Sequence, residues 1–167
     1  RAIALDTLDA ALAARRVSRV LVVTSDRTLP IVVELVVERA PRGLGSAIAT
    51  GLRAAGDGAR AVLLGDLPAL RPEDLDDALH RAEAVPTGFV ADREGTGTTL
   101  VTAGPGIELR QAFGADSARR HRELAVAQLV LPPGSTLPLD VDTPEQLTAT
   151  PGLGPRTSAA LAALSAA

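Results

Sequence analysis

Asp66 stands just past the apolar run Ala61-Val62-Leu63-Leu64, after Gly65, in the segment LLGDLPAL, and Asp140 and Asp142 are separated by one residue in LDVDTP. A carboxylate at the end of a buried strand points into the crevice where open α/β sheets hold ligands. Gly65 just before Asp66 admits close approach of backbone or ligand. In an extended segment residues i and i+2 face the same side, so Asp140 and Asp142 project together. Like charges held so close favour a divalent cation between them. Asp66, Asp140 and Asp142 would then form a hard, oxygen-only site suited to Mg2+. The chain has no Cys and two His, which argues against zinc. A structural reading stands beside each: Asp66 as a cap on the loop before the next helix, and Asp142 as N-cap of the helix entered at Pro144. Both readings hold if one carboxylate caps while the others bind metal.

Three further segments have the chemistry of anion sites. Gly95-Thr96-Gly97-Thr98-Thr99 combines glycines, whose backbone can cradle an anion, with hydroxyls that donate to phosphate or carboxylate oxygens. An ordinary hairpin turn has the same composition. Phe113-Gly114-Ala115-Asp116-Ser117 leads into Ala118-Arg119-Arg120-His121-Arg122. This has the form of a helix N-terminus with free N–H groups, a Ser117 hydroxyl and basic side chains, suited to an anionic ligand. The arginines read equally as a solvated face, and His121 as a surface residue. Arg42-Gly43-Leu44-Gly45-Ser46 is a glycine-rich turn opening a helix, a place for a nucleotide or a plain helix start. It is neither the dinucleotide GxGxxG pattern nor the phosphate-binding GxxxxGK pattern. Pro151-Gly152-Leu153-Gly154-Pro155-Arg156-Thr157 has the glycines of a helix-hairpin-helix DNA-binding turn. It lacks a surrounding Lys or Arg cluster and reads as a tight turn before a C-terminal helix.

These residues need elements to hold them, and the chain supplies an alternating series. Ile3, Leu5, Leu8 and Leu12 recur at helical spacing, then Val20-Leu21-Val22-Val23 forms a buried run. Val36-Val37 offers a second strand beyond Pro30. Helices are expected from Gly43 to about Ala55, after Arg71-Pro72-Glu73-Asp74, over 117–125, from Thr143-Pro144-Glu145 and after Pro155. Strands are expected at Ala61–Leu64, Gly88–Ala91, Thr99–Val101 and Ala127–Leu131. Strand–helix alternation favours a mostly parallel sheet covered on both faces.

The 167 residues suit one domain spanning 1–167. The charge is carried by 17 arginines and no lysine against 20 acidic residues, a net charge of −3. That excludes Schiff-base chemistry and a lysine-bearing phosphate loop within these residues. The acid excess argues against nucleic acid as a partner. With no apolar run near the roughly 20 residues of a membrane span and no signal peptide, a cytoplasmic protein without a membrane partner is expected.

LLGDLPAL, EGTGTTLVTA, FGADSARRHRELA and LDVDTP, taken in order and spacing, resemble the guanylyltransferases of deazaflavin coenzyme F-420 biosynthesis. The likeness is to the actinobacterial type, the phosphoenolpyruvate and 2-phospho-L-lactate guanylyltransferase family, over most of residues 1–157. It implies a three-layer α/β/α nucleotidyltransferase fold like that of the nucleotide-diphospho-sugar transferases. It also implies GTP and a small phosphorylated acid as substrates, joined with loss of pyrophosphate. Carried over by position, Asp66, Asp140 and Asp142 correspond to the Mg2+ ligands and the catalytic centre. Thr98, Gly114 and Ser117 correspond to the phosphoenolpyruvate site. Gly43, Leu44, Gly45, Ser46 and Gly65 correspond to the nucleotide pocket. The family's Pro-Leu-Lys and Ala-Lys-Ser-Arg stretches have no counterpart here, and its Gly-Leu-Asn is Gly43-Leu44-Gly45. A lysine-bearing phosphate loop is therefore expected before Arg1, and further residues within 27–38. A different acceptor, molybdopterin or a sugar phosphate among them, and a nucleotide- or DNA-binding module using the GLGPRT turn, are the alternatives.

Overall fold

A computed structural model describes residues 1–26, 28–29, 33–37 and 42–166. Of the expected interruption at 27–38, residues 27, 30–32 and 38 lie outside them. Helix α1 (Ala2–Ala13) leads to β1 (Leu21–Thr24), which pairs in parallel with β2 (Glu34–Val37). Helix α2 (Leu44–Ala55) follows, entered through Gly43 at φ +87°, a value glycine reaches without strain. Gly51 lets α2 lie close on β1, because a Cβ there would stand 2.8 Å from Val23 Cγ2.

The main sheet is ordered β3-β5-β4-β6, from β3 (Arg60–Leu63), β4 (Thr87–Ala91), β5 (Thr98–Ala103) and β6 (Ala127–Gln128). β5 runs antiparallel to β3 and β4, and β4 parallel to β6. Thus β3, β4 and β6 point one way and β5 alone runs against them. The sheet is partly parallel, with one reversed strand at its centre. β6 ends at Gln128, short of the expected Leu131, where Val130 is 78% exposed.

Strand alternation splits the core between the two faces of this sheet. Val90 and Leu100 join Ala10, Ala11 and Ala14 of the α1 end and Leu75 and Ala78 of α3 (Pro72–Ala82). Phe89, Ala91 and Val101 join Ala118 of α4 (Ser117–Glu123), with Leu52 of α2 packed against them. The result is three layers, α/β/α. Two short C-terminal helices complete it, α5 (Pro144–Ala149) and α6 (Pro155–Ser165), the latter packed on α1.

The α1 stripe is the main departure in local detail. Its buried face is Asp6, Thr7, Ala10 and Ala11, while Leu12 is 49% exposed. Polar contacts choose this face over the Ile3-Leu5-Leu8-Leu12 stripe. Thr7 Oγ1 accepts from Leu67 N–H at 3.1 Å, and Asp6 accepts from Arg156 and Thr157 N–H at 3.1 and 2.7 Å. A buried carboxylate needs such donors, and only this rotation of the helix provides them.

Asp74, in the first turn of α3, ties that helix to the segment that carries Asp140. It accepts from Arg71 Nε at 2.8 Å and from Thr136 N–H at 2.8 Å. Burial alone would raise its pKa, but the Arg71 and Thr136 hydrogen bonds overcome that and hold it below the usual carboxylate range. An acid whose folded pKa is depressed adds stability above its unfolded pKa and loses it as pH falls through the folded value. Asp74→Asn should therefore cost about 1–2 kcal/mol at pH 7. The difference from wild type should shrink as pH falls below roughly 4. Urea midpoints of both proteins across pH 3–7 check this, and a gap independent of pH would refute it.

Candidate active site

Asp66 lies in the turn between β3 and α3, and this turn is clamped from two sides. Leu67 N–H donates to Thr7 Oγ1, and Val141 N–H donates to the Asp66 carbonyl at 3.0 Å. The second bond brings the Asp140-Val141-Asp142 segment against the end of β3. Leu137, fully buried, and Val141, 9% exposed, anchor that segment in the core. Thr143, not Asp142, caps α5: its hydroxyl accepts from Gln146 N–H at 3.2 Å, and Gln146 Oε1 accepts from Thr143 N–H at 3.1 Å. The Asp142 carboxylate is thereby left free of capping duty, and among the described residues its N–H alone is held, by Gln146 Oε1.

Asp66 Oδ1 and Asp140 Oδ1 are both buried and, among the described residues, without a hydrogen-bond partner. Burial, then the neighbouring charges of Asp92, Asp66 and Asp142, push the Asp140 pKa up to about 6. Asp66 is raised as well, by burial first, then by Asp142, against a lowering contribution from its own backbone. Two orphaned carboxylate oxygens with raised pKa values make a donor set that fits a hard cation. Among the described residues no three acidic or His side chains stand close enough to ligate one ion by themselves. That fits Mg2+, which binds through one or two carboxylates together with water and substrate phosphates.

Asp92 belongs to this cluster, though the sequence patterns above do not single it out. The signal was available: it directly follows Ala91, the last residue of β4. Its Oδ1 accepts from Thr96 N–H at 2.9 Å and its Oδ2 from Gly97 N–H at 2.6 Å. The anion in the Gly95–Thr99 backbone cradle is thus the protein's own carboxylate. A Cβ on Gly97 would overlap that carboxylate, so glycine is required there.

Thr98, Ser117 and His121 come together beneath this loop. Ser117 Oγ donates to Thr98 Oγ1 at 3.0 Å, and Thr98 Oγ1 lies 3.0 Å from His121 Nδ1. Thr98 is 4% exposed, Ser117 1% and His121 0%. His121 is therefore no surface residue. It stacks on Phe89 at 5.4 Å and meets the edge of Phe113 at 5.5 Å. Burial first, with Arg120 also lowering and the Ser117 backbone opposing, holds its pKa below the usual histidine range. Two of the expected free N–H groups of α4 are spent: Ser117 N–H donates to the Gly114 carbonyl at 3.1 Å and Ala118 N–H to the Thr96 carbonyl at 3.0 Å. Gly114 has φ +109°, a conformation that disfavours any side chain.

Gly43, Leu44 and Gly45 are exposed and Ser46 half-buried at the start of α2, with Ser46 N–H bonded to the Gly43 carbonyl at 3.1 Å. Gly65 is exposed beside Asp66. Among the described residues no hydrogen bond links residues 43–46 to the aspartates. The GLGPRT turn is the entry to α6. Its Gly154 N–H donates to the Pro68 carbonyl at 2.7 Å, and Asp6 receives the next two N–H groups, so these amides are used within the protein.

Residues 3–130 match the family of the MobA-like NTP transferase domain. The phosphoenolpyruvate guanylyltransferase of Geodermatophilus obscurus is 48% identical over 93% of this chain and 75% of its own length. Those of Streptomyces coelicolor and Mycolicibacterium gilvum are 44% and 40% identical, over 98% and 97% of this chain and 82% and 81% of theirs. A crystal structure described as a nucleotide-diphospho-sugar transferase from Desulfovibrio desulfuricans G20 superposes with a TM-score of 0.58 at 15% identity, over 78% of this chain and 65% of that one.

Proposed function

Because this chain belongs to the MobA-like NTP transferase family and is a nucleotidyltransferase, we propose that it joins GTP to phosphoenolpyruvate. The products are enolpyruvoyl-2-diphospho-5'-guanosine and pyrophosphate, a step of coenzyme F-420 biosynthesis. The observation that carries the reading is the pair of buried, unpartnered oxygens of Asp66 and Asp140, gathered with Asp142 at the end of β3. The names of the relatives support guanosine triphosphate as donor and phosphoenolpyruvate as acceptor.

A phosphate oxygen of the acceptor attacks the α-phosphorus of GTP. The new P–O–P bond forms as the bond to the β-phosphate oxygen breaks, and that electron pair leaves with pyrophosphate. The attacking oxygen is already ionised, so the site needs positioning and charge neutralisation more than a base. Carboxylates from Asp66, Asp140 and Asp142, completed by water and substrate phosphates, would hold Mg2+, which when bound neutralises phosphate charge. Thr98, Gly114 and Ser117 receive the acceptor's anionic groups. Gly43, Leu44, Gly45, Ser46 and Gly65 receive the nucleotide, where missing Cβ atoms let it approach the backbone. Among the described residues no helix is long and apolar enough to cross a membrane. We further propose that the enzyme works in the cytoplasm on these small substrates, without nucleic acid.

Pyrophosphate release from GTP and Mg2+ tests this, with phosphoenolpyruvate, 2-phospho-L-lactate and 3-phosphoglycerate supplied singly to the full-length protein. Phosphoenolpyruvate should be preferred by at least about tenfold in kcat/KM, a difference of roughly 1.4 kcal/mol in transition-state binding. A preference for another acid would overturn the acceptor. Absence of release with every acid, together with a DNA mobility shift, would overturn the transferase reading.

A further inference from the structure

We propose that His121 is a positioning residue for the acceptor site: fixed in one tautomer, it turns the Thr98–Ser117 hydroxyl pair into a donor aimed at an anionic oxygen. The proposal rests on the reading that Thr98 and Ser117 hold the phosphorylated acid.

The tautomer follows from a backbone contact. Ala112 N–H donates to His121 Nε2 at 2.9 Å. A backbone N–H only donates, so Nε2 carries a lone pair and the ring proton of neutral His121 sits on Nδ1. Nδ1 faces Thr98 Oγ1 at 3.0 Å, and Ser117 Oγ faces the same oxygen at 3.0 Å. The three groups thus hold three protons: one on Nδ1 and one on each hydroxyl. Two contacts join them, and these use two protons. One hydroxyl proton is left over whichever way the two hydroxyls turn, and among the described residues no acceptor is bonded to it. A phosphate or carboxylate oxygen is the acceptor this chemistry fits.

The ring cannot turn away. It is fully buried, stacked on Phe89 and edge-on to Phe113. Flipping it would put ring carbons against both Ala112 N–H and Thr98 Oγ1, losing both contacts. A protonated imidazolium would have to break the Ala112 bond. Neutral His121 is therefore a fixed donor, and it has no contact with the aspartate cluster among the described hydrogen bonds.

Steady-state kinetics of the full-length protein separate this from a packing role. His121→Phe keeps an aromatic ring against Phe89 and Phe113 but removes the donor. It should raise the KM for phosphoenolpyruvate about tenfold, the effect of one hydrogen bond to a charged group, and leave the KM for GTP within about twofold. His121→Asn, whose amide reaches the Nδ1 position, should recover most of the loss. Equal changes in both KM values, or no rescue by Asn, would overturn the inference. Thr98→Val separates the premise: if it leaves the KM for phosphoenolpyruvate unchanged, the acceptor-site reading fails. If it raises that KM while His121→Phe does not, the inference alone fails. Should His121→Phe not fold, imidazole 15N spectra of the wild type decide, since His80 and His121 are the two histidines. His121 should show an Nδ1–H and an unprotonated Nε2 at pH 7, and phosphoenolpyruvate should shift its signals and not those of exposed His80. An Nε2–H form, an imidazolium, or signals indifferent to the acid would overturn it.

Discussion

Asp140→Asn should abolish guanylyl transfer and, in the same protein, raise the melting temperature measured in EDTA. The loss in kcat/KM should be at least about a hundredfold, the scale of removing one preorganised electrostatic partner of a transferring phosphate. The gain in stability has a separate cause. Asp140 is crowded by Asp92, Asp66 and Asp142, with Oδ1 buried and unpartnered. An acid whose folded pKa is raised to about 6 is penalised in its charged form at neutral pH. Neutralising it removes that cost, and the new amide can donate to the carboxylates around it. Asp140 is half-buried, so solvent screening reduces the effect to about 1–2 kcal/mol, or roughly 2–6 °C. Asp66→Asn should act in the same direction on both counts. Calorimetry in EDTA and turnover with saturating Mg2+ check the pair of effects. Normal turnover of the variant would sink the metal assignment, and a lower melting temperature would sink the electrostatic account.

Asp6→Ala should cost about 3 kcal/mol, lowering the melting temperature by roughly 6–12 °C. Asp6 is 6% exposed and accepts from two backbone N–H groups at the entry to α6, Arg156 at 3.1 Å and Thr157 at 2.7 Å. Its removal leaves two buried donors unsatisfied, and α6 loses its hold on α1. Asp9→Ala is the control. Asp9 pairs with the Arg156 side chain at 2.9 Å, but both are about half exposed, and such a pair contributes within about 0.5 kcal/mol. Thermal unfolding of both variants decides: equal losses would mean that α6 is held by charge at the surface and not by its buried cap.

What was legible in the chain was mostly what short-range chemistry dictates. The runs at Ala61, Gly88 and Thr99 became strands because they are apolar and bounded by glycine and aspartate. Pro72 with Glu73 and Asp74 opened α3 because proline suits the first helical position and acids its dipole. The residues that escaped were those whose roles depend on distant partners. His121 looked solvated in a run of arginines, yet its partners are Thr98 and the Ala112 N–H. Asp92 escaped because the N–H groups that hold it lie in a glycine turn that itself suggested a ligand. The hydrophobic stripe of α1 misled for the same reason: its orientation is chosen by Leu67, Arg156 and Thr157, and nothing local to residues 2–13 announces them.

The contact between Asp6 and Thr157 spans 151 residues, and that distance has a meaning in time. A ribosome making this chain emits Asp6 long before its two amide partners. Until then α1 carries a carboxylate on the face it must bury, and the turn holding Asp66 lacks the Gly154 amide that bonds to Pro68. Nascent chains stalled before residue 157 should therefore keep α1 loosely docked and cleavable by protease, with protection arriving in one step as α6 clears the exit tunnel.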